Sequence, residues 1–365
     1  MNNLNNQVSL QEIALSFLKL GTTAFGGPAA HIAMMERDLV DKKQWLTKEE
    51  FLDLLAATNL IPGPNSTELA IHIGHKKAGW TGLIVAGICF ILPAFLIVWA
   101  IAWFYIKFGS LPAFKAIFTA TIPVIIAVIF QAVYSLSKSA VKNITHYTLA
   151  ALSLAAYLFG VNELLILFAA ALLNLLWREK RSFTGLSAFA AVANPTVNQL
   201  GLYFAKVGSV LFGSGYVLVA FLQNDLVHKY QWITQQQLID AIAVGQFTPG
   251  PVFTTATFIG YLIAGNIGAI TATVGIFLPA FIFVALSAPF IPRLRKSKRI
   301  SYILDGLNVS SLSLMLGASF LLFSSSEFSY YFIIALIVSL FLLIRYKLNS
   351  AWLILAAALI GFLNF

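Results

Sequence analysis

The feature that most constrains this chain is a proline-glycine-proline break inside an apolar run. Residues 62–64 interrupt the run from residue 51 to residue 73, which is long enough to enter a bilayer. Proline lacks an amide N–H and clashes with the preceding turn, so one helix must end before the break and another can begin at its second proline. The same pattern returns at residues 249–251. Matching breaks in two halves indicate a transporter's binding site, because broken helices at membrane depth must line a cavity or be buried in protein.

The composition is that of a membrane protein. Of the 365 residues, 59% are hydrophobic and 10% are charged, and the mean hydropathy is +0.85, whereas a soluble domain has about 25% charged residues. Continuous apolar runs of helical length, such as residues 83–102, favour an all-α polytopic membrane protein over a β-barrel. The formal charge of +9 must lie mostly in loops, where it is compatible with contact to the lipid bilayer, with orientation or with an anionic substrate. A nucleic-acid partner is not expected, since no large polar domain carries this charge.

An internal repeat organises the chain into two related halves. Residues 204–213 repeat residues 17–26, and residues 278–281 repeat residues 92–95. Self-similarity of this kind predicts a duplicated architecture. The predicted domains are an N-terminal transmembrane repeat at residues 1–181, a linker at residues 182–196 and a C-terminal transmembrane repeat at residues 197–365.

The distribution of lysine and arginine predicts that the two repeats have inverted orientation. Basic loops alternate with loops that lack both residues, as single membrane crossings require under the positive-inside rule. This alternation places Lys76 and Lys77 on the inside and the matching residues Ala264 and Gly265 on the outside. Broken or re-entrant helices at the core of two inverted halves are a transporter design, with the binding site near the midplane.

Several segments taken together resemble one family. They are residues 25–28 with His31, the loop at residues 44–46, residues 62–65 and residues 92–93, with related segments at residues 212–213, Trp232, residues 249–251 and residues 278–279. This combination resembles the chromate ion transporter family in its two-domain, long-chain type. The resemblance implies a multi-pass protein of the bacterial inner membrane whose halves have opposite orientation. It also implies efflux of chromate, an oxyanion shaped like sulfate, energised by protons or by the membrane potential.

The two breaks predict that helix N-termini bind an oxyanion. A dianion that crosses a membrane must exchange its water for protein hydrogen bonds, and the free amides at a helix N-terminus supply these together with a positive dipole end. The alternatives are ordinary capping by the hydroxyls and close helix packing by the glycines. The predicted substrate-binding residues are Gly26, Gly27, Pro62, Gly63, Asn65, Ser66, Thr67, Gly213, Pro249, Gly250, Thr254 and Thr255, and Asn59 and Gln246 are further candidates for the cavity lining.

Two lysines, Lys19 and Lys206, complete the predicted substrate-binding set. They occupy matching positions inside apolar helices of the two repeats. An ionisable residue in a spanning helix is functional by default. The alternatives are that each side chain extends to the membrane surface, or that it forms an ion pair with Asp53 or Asp240.

Proton coupling is predicted to involve Glu68 and His31. Glu68 follows the first break by four residues and could carry a proton if it is buried. His31 belongs to the first repeat alone, since Leu218 takes its place in the second. Glu68 also shares one helix face with His72 and His75, but nothing supplies further ligands nearby, so neither a metal site nor a cofactor is predicted.

Three classes of function compete, and a secondary transporter with alternating access is favoured. A membrane-embedded enzyme is not expected, because the sequence has no P-loop, no nucleophile elbow and no HExxH motif. An anion channel would use the same inverted repeats and helix N-termini. Within the transporter class, sulfate or another oxyanion is the alternative substrate to chromate. A homodimer is expected from the size and apolar surface of such folds.

Overall fold

The structure, a computed structural model, describes residues 8–109, 111–179, 196–212, 217–287, 297–324, 326 and 329–363. Over this part of the chain it contains fourteen α-helices, three short π- or 3-10-helical segments and no β-strand. Four of the helices are long and apolar enough to cross a membrane. The predicted all-α polytopic membrane fold is therefore confirmed.

The helices differ widely in length, and the longest directly follow the two breaks. In chain order they are α1 Leu10–Thr23, α2 Gly27–Met35, α3 Lys48–Thr58, α4 Asn65–Phe108, α5 Pro112–Ala140, α6 Ile144–Leu158, α7 Glu163–Glu179, α8 Val197–Val210, α9 Leu218–Phe221, α10 Gln235–Phe247, α11 Thr255–Ser287, α12 Lys298–Ser324, α13 Tyr330–Arg345 and α14 Ser350–Leu363. A π-helical segment follows α2 at Glu36–Lys42 and another follows α9 at Leu222–Lys229, and a 3-10 turn precedes α11 at Val252–Thr254.

These helices form two compact units, each of which takes segments from both halves of the chain. The first unit comprises residues up to 111, residues 197–215 and residues 244–291, and the second comprises residues 112–196, 216–243 and 292–365. Both breaks and the predicted site residues that the structure describes belong to the first unit. Of the predicted positions, Gly213 and residues 182–195 of the linker lie outside the described residues. The division into two sequence repeats joined by that linker stays a prediction.

Helix α4 is a helical hairpin and not one continuous helix. Ala78 and Gly79 have non-helical backbone angles, and the φ of +60° with ψ of −145° at Gly79 is a conformation that only glycine adopts readily. Gly74 and Gly82 then meet backbone to backbone, because a Cβ on either would overlap the carbonyl oxygen of the other. We call residues 65–77 the first half-helix and residues 80–108 the first long arm. The half-helix that was predicted to follow the first break is confirmed.

Helix α11 has the same shape at the matching positions. Ala264 and Gly265 have φ of −141° and +59°, within a few degrees of their counterparts in α4. Gly260 and Gly268 make the same backbone contact. We call residues 255–263 the second half-helix and residues 266–287 the second long arm. The two repeats therefore build the same hairpin from different sequences.

The two long arms pack against each other in antiparallel register. Trp99 Nε1 donates a hydrogen bond of 2.9 Å to Asn266 Oδ1 near the start of the second arm. Further along that arm, a Cβ at Gly87 would overlap the ring of Phe281. Because residue numbers rise along one arm as they fall along the other, equivalent helices of the two repeats run in opposite directions within this unit.

The first helix of each repeat packs on its own long arm through a glycine. A Cβ on Gly21 of α1 would lie 2.5 Å from the carbonyl oxygen of Phe90. A Cβ on Gly208 of α8 would overlap the carbonyl oxygen of Ile276 in the same way. Close approach at these glycines holds the ends of α1 and α8 beside the breaks, where the candidate site is built.

The second unit is a separate bundle in which α12 packs on α5, α6 and α7. Gly306 of α12 allows this, since its Cβ would lie 2.7 Å from the carbonyl oxygen of Ala170. Asn174 Nδ2 donates a 2.7 Å hydrogen bond to the carbonyl oxygen of Tyr302. None of the predicted site residues within the described ranges lies in this bundle.

Candidate functional site

The two breaks are held by reciprocal main-chain hydrogen bonds between the repeats. Gly63 N donates to the carbonyl oxygen of Leu211 at 2.7 Å, and Gly250 N donates to the carbonyl oxygen of Ala24 at 3.0 Å. Leu211 and Ala24 are matching residues that follow the first helix of each repeat. Each break is thus anchored to the other repeat, and the two anchors are equivalent.

Both break glycines have backbones that other residues rarely adopt. The φ is +143° at Gly63 and +89° at Gly250. A Cβ would overlap the Glu68 carboxylate at Gly63 and would lie 2.8 Å from the Cβ of Ala94 at Gly250. The two prolines of each motif end and restart the helices, while the glycine between them lets the backbone turn and approach its neighbours.

His31 connects the two breaks to each other. Its Nε2 lies 3.0 Å from the carbonyl oxygen of Ala24, which also accepts from Gly250, and its Nδ1 lies 3.1 Å from Ser66 Oγ. A carbonyl oxygen only accepts, so we assign the proton to Nε2, and the neutral ring then accepts at Nδ1 from the Ser66 hydroxyl. Three hydrogen bonds therefore lead from the second break to the first turn of the first half-helix.

Three helix N-termini near the breaks have no side-chain cap. The N-cap residues are Gly26 for α2, Pro64 for α4 and Pro251 for the 3-10 turn, and none of them makes a capping hydrogen bond. The first amides of a helix have no partner within the helix. Uncapped amides combined with the positive dipole end form a site suited to an anion.

The predicted hydroxyl ligands differ in how they are bonded. Thr254 and Thr255 donate to the carbonyl oxygens of Pro251 and Val252, at 2.8 and 2.9 Å. Thr67 is fully buried and its Oγ1 has no hydrogen-bond partner within the described residues. A buried donor without a partner costs about 1–3 kcal/mol, so Thr67 is the hydroxyl that a ligand would satisfy.

The amides predicted to line the cavity also divide into bonded and unbonded groups. Asn65 Nδ2 donates to Asn59 Oδ1 at 3.0 Å, so these two side chains hold each other across the first break. Gln246, which precedes the second break, is 4% exposed, and its Nε2 has no partner within the described part of the chain. Gln246 is thus a second buried donor that a ligand could satisfy.

The two predicted lysines differ in how exposed their side chains are. Lys19 is exposed and its Nζ lies 3.9 Å from Asp38 Oδ2, whereas the sequence suggested Asp53 as its alternative partner. Asp38 also accepts from Lys42 and Arg37, at 3.0 and 3.1 Å. Burial raises the pKa of Asp38, but the hydrogen bonds and charges of Lys42 and Arg37 outweigh it, so that the pKa is lower than usual. Lys206 is partly buried on α8.

Glu68 is the one predicted site residue that brings an acid to the break. It is fully buried, and neither of its carboxylate oxygens has a hydrogen-bond partner within the described residues. No group of three His, Cys, Asp or Glu residues is close enough to hold a metal ion in the part of the chain that the structure describes.

The structure adds site residues that the sequence did not suggest. Ala24 and Leu211 contribute through their carbonyl oxygens, so their side chains carry no chemical signal. In the sequence, the one sign of a shared role is that each residue directly precedes the Phe-Gly pair that occurs in both repeats. The pairing of His31 with Ser66 was also missed, because the two residues lie on different helices.

Comparison with known proteins shows what the chain is similar to. A sequence model of the family described as chromate transporter matches twice, over residues 11–175 and 198–362. The chromate transport protein of Cupriavidus metallidurans is 35% identical over 97% of this chain and 92% of its own length. The probable chromate transport protein of Synechococcus elongatus is 34% identical over 85% of this chain and 84% of its own length.

A third relative, the chromate transport protein of Pseudomonas aeruginosa, is 32% identical over 84% of this chain and 80% of its own length. No solved structure matches the chain. The family matches cover both repeats and contain both breaks, so the site described above lies within the shared region.

Proposed function

Because the chain belongs to the chromate transporter family, we propose that it is a secondary transporter that exports chromate across the bacterial inner membrane by alternating access. The observation that carries this proposal is the set of three hydrogen bonds, through Ala24 and His31, that joins the two breaks. It brings two uncapped helix starts into one unit, as an anion site near the midplane requires.

The anion binds to neutral donors at the breaks. Chromate carries negative charge on a tetrahedron of oxygen atoms, and it loses hydration when it enters the protein. The free amides of α2 and of the first half-helix replace part of that hydration, and the unpaired Thr67 hydroxyl and Gln246 amide replace more. Ser66, Thr254 and Thr255 hold the backbone of the breaks in shape, since their hydroxyls are already bonded.

The matching lysines, Lys19 and Lys206, contribute to anion binding through the electrostatic field of their positive charges. Lys19 lies on α1, five residues before Ala24, and Lys206 takes the matching place on α8. The charge of Lys19 is shared with Asp38, so its effect on the anion is weaker than that of a direct ligand. Gly26 and Gly27 allow the turn that presents the α2 amides, with φ of +107° and +75°.

Alternating access follows from an inverted repeat. The antiparallel register of the two long arms and the reciprocal anchors of Gly63 and Gly250 support an inverted relation between the repeats. In such transporters one repeat rocks against the other around a fixed site. The breaks are among the points at which each repeat is bonded to the other, so they move with the exchange between inward and outward states.

Transport into proteoliposomes tests the proposal. Purified protein is reconstituted, and uptake of labelled chromate is followed with and without an imposed pH gradient and with sulfate as competitor. Saturable chromate uptake that Thr67→Val weakens supports the assignment. Uptake of sulfate without chromate contradicts the substrate but keeps the anion site, because sulfate has the same tetrahedral shape. A current that reverses at the equilibrium potential of the anion itself would indicate a channel.

A further inference from the structure

The first half-helix carries three titratable side chains on a single face. Glu68, His72 and His75 are spaced i, i+4 and i+7, so they lie one above the other along about 10 Å of helix. This face runs from the first break to the hairpin turn at Ala78. The amide and hydroxyl donors of the anion site include none of these three side chains.

Glu68 occupies the end of this face that lies at the break. Its carboxylate packs against Gly63, because a Cβ placed on Gly63 would overlap Oε1 of Glu68. Both oxygens are buried without a hydrogen-bond partner within the described residues. A buried carboxylate without a counter-ion or hydrogen bond is costly to ionise, so Glu68 is at rest a neutral acid with one proton to give.

His72 occupies the middle of the face and is also without a partner. It is 3% exposed, and its Nε2 has no hydrogen-bond partner among the described residues. It lies one turn from Glu68, about 6 Å along the axis, a separation that one water molecule can bridge.

His75 completes the face at the end where charged residues reach solvent. Its ring meets the exposed ring of Trp80 edge to face at 5.5 Å. The neighbouring Lys76 is ion-paired with Glu50 of α3 at 2.7 Å, and both side chains are more than one third exposed. Exposure therefore increases steadily from Glu68 to His75.

Charges on neighbouring helices do not hold this face in one protonation state. Among the described residues, neither Glu68 nor His72 takes part in an ion pair. The one titratable group on α2 is His31, whose two ring nitrogens are already bonded. On α3, Glu50 is paired with Lys76 and Lys48 is paired with Glu36.

We infer that Glu68, His72 and His75 form a proton path between the first break and the membrane surface at the Ala78 turn. This inference rests on the proposed anion transport and assigns its coupling proton. Protonated Glu68 donates to the bound anion. When the anion leaves, the O–H bond of Glu68 breaks and its proton passes through water to Nε2 of neutral His72. His72 then releases its other ring proton toward His75 and solvent, and each step conserves one proton.

The second half-helix has no equivalent path. The glycine contacts of the two hairpins match Gly74 with Gly260, which places Phe258 opposite His72 and Tyr261 opposite His75. A phenyl ring cannot carry a proton. Because only the first repeat has such a path, the proton exchanges with one side of the membrane along the first half-helix. Each anion is then coupled to one titratable carboxyl, that of Glu68.

The test separates exchange from coupled accumulation. Full-length protein is reconstituted with a pH-sensitive dye inside the vesicles. Chromate-for-chromate exchange without a gradient is measured beside chromate accumulation and proton movement under an imposed pH gradient. We expect Glu68→Gln to lose gradient-driven accumulation, because its amide can still donate to the anion but has no proton to give. We expect His72→Asn to slow accumulation by about tenfold or more with exchange unchanged.

A matched control is Glu50→Gln, which removes a carboxylate near the same half-helix and should change neither rate. Gradient-driven accumulation that survives Glu68→Gln overturns the path. If Glu68→Gln loses exchange as well as accumulation, the test of the path rests on His72→Asn. Accumulation at the wild-type rate in His72→Asn then overturns the path. Wild-type chromate flux without proton movement overturns the path and leaves the proposed function standing, whereas absence of chromate flux in the wild type overturns the proposed function.

Discussion

Gly250 and His31 donate hydrogen bonds to the same oxygen atom, the carbonyl oxygen of Ala24, each at 3.0 Å. One donor belongs to the break of the second repeat, and the other belongs to a helix of the first. A carbonyl oxygen has two lone pairs and can accept both. The end of α1 therefore joins the two breaks, and a movement of the second break away from α1 would lengthen the bond from Gly250 to this atom.

The bond between His31 and Ser66 predicts a measurable coupling. His31→Phe and Ser66→Ala should each lower the free energy of unfolding by about 1–3 kcal/mol, since each leaves a buried polar group unpaired. The double variant should cost less than the sum, with a coupling of about 0.5 kcal/mol or more. Thermal unfolding in detergent measures all four proteins. Strict additivity would mean that the two side chains do not interact.

Gly63 is expected to tolerate no side chain. Its φ of +143° lies in a region that is essentially limited to glycine, and a Cβ would overlap the Glu68 carboxylate. Gly63→Ala should destabilise the protein by more than about 3 kcal/mol, which exceeds the usual strain of 1–3 kcal/mol at such positions. The control is Gly160→Ala, at φ +77° with nothing within 4 Å, which isolates the backbone effect. Equal melting temperatures for the two variants would contradict the close approach at Gly63.

The unpaired hydroxyl of Thr67 predicts a loss of affinity and not of stability. Thr67→Val should raise the KM for chromate about tenfold, which corresponds to about 1.4 kcal/mol for a lost hydrogen bond to an anion. Thr67→Ser keeps the hydroxyl and should remain near the wild type. In contrast, Thr254→Val removes a hydroxyl that bonds the Pro251 carbonyl oxygen, and should change the melting temperature more than the KM. A reversed pattern would move the anion to the second break.

The main features of the fold could be predicted from the sequence because prolines, glycines and apolar runs act locally. The break at residues 62–64 ends one helix by the chemistry of proline alone. Thr47 with Glu50 forms a capping box at the start of α3, a local pattern of the same kind. The hairpin turn at Gly79 was harder to predict, because Gly79 is one of many glycines in the chain. The sequence predicted only that a new helix begins after the first break.

The bonding state of the site could not be predicted from the sequence. Thr67 and Thr254 occupy matching positions, yet one hydroxyl is unpaired and the other is bonded to its own turn. The second break begins with a 3-10 turn at Val252–Thr254, which is tighter than the α-helical turn at the first break. The partner of Lys19 was also missed, because Asp38 approaches it from a π-helical segment.

Asp38 predicts a dependence of stability on pH. Burial raises its pKa, but the hydrogen bonds and charges of Lys42 and Arg37 outweigh burial, so the pKa is lower in the folded protein than in the unfolded chain. Its contribution is therefore present above the unfolded pKa of about 4 and is lost as the pH falls through the lower folded value. Asp38→Asn should lower stability at neutral pH by about 1 kcal/mol and flatten the acid limb of the melting curve. An unchanged acid limb would show that other carboxylates control it.

The antiparallel long arms predict that Trp80 and Asn266 are on opposite sides of the membrane. The two residues begin the arms at matching positions after the hairpin turns, and both are exposed. In a Cys89→Ser background, Trp80→Cys should react with an impermeant maleimide from the cytoplasmic side, as the positive-inside rule suggests for neighbouring Lys76 and Lys77. Asn266→Cys should react from the outer side alone. The comparison uses intact cells and inverted vesicles, with a permeant maleimide as the control for reactivity. Labelling of both cysteines from one side would contradict the inverted relation between the repeats, and with it the proposed alternating access.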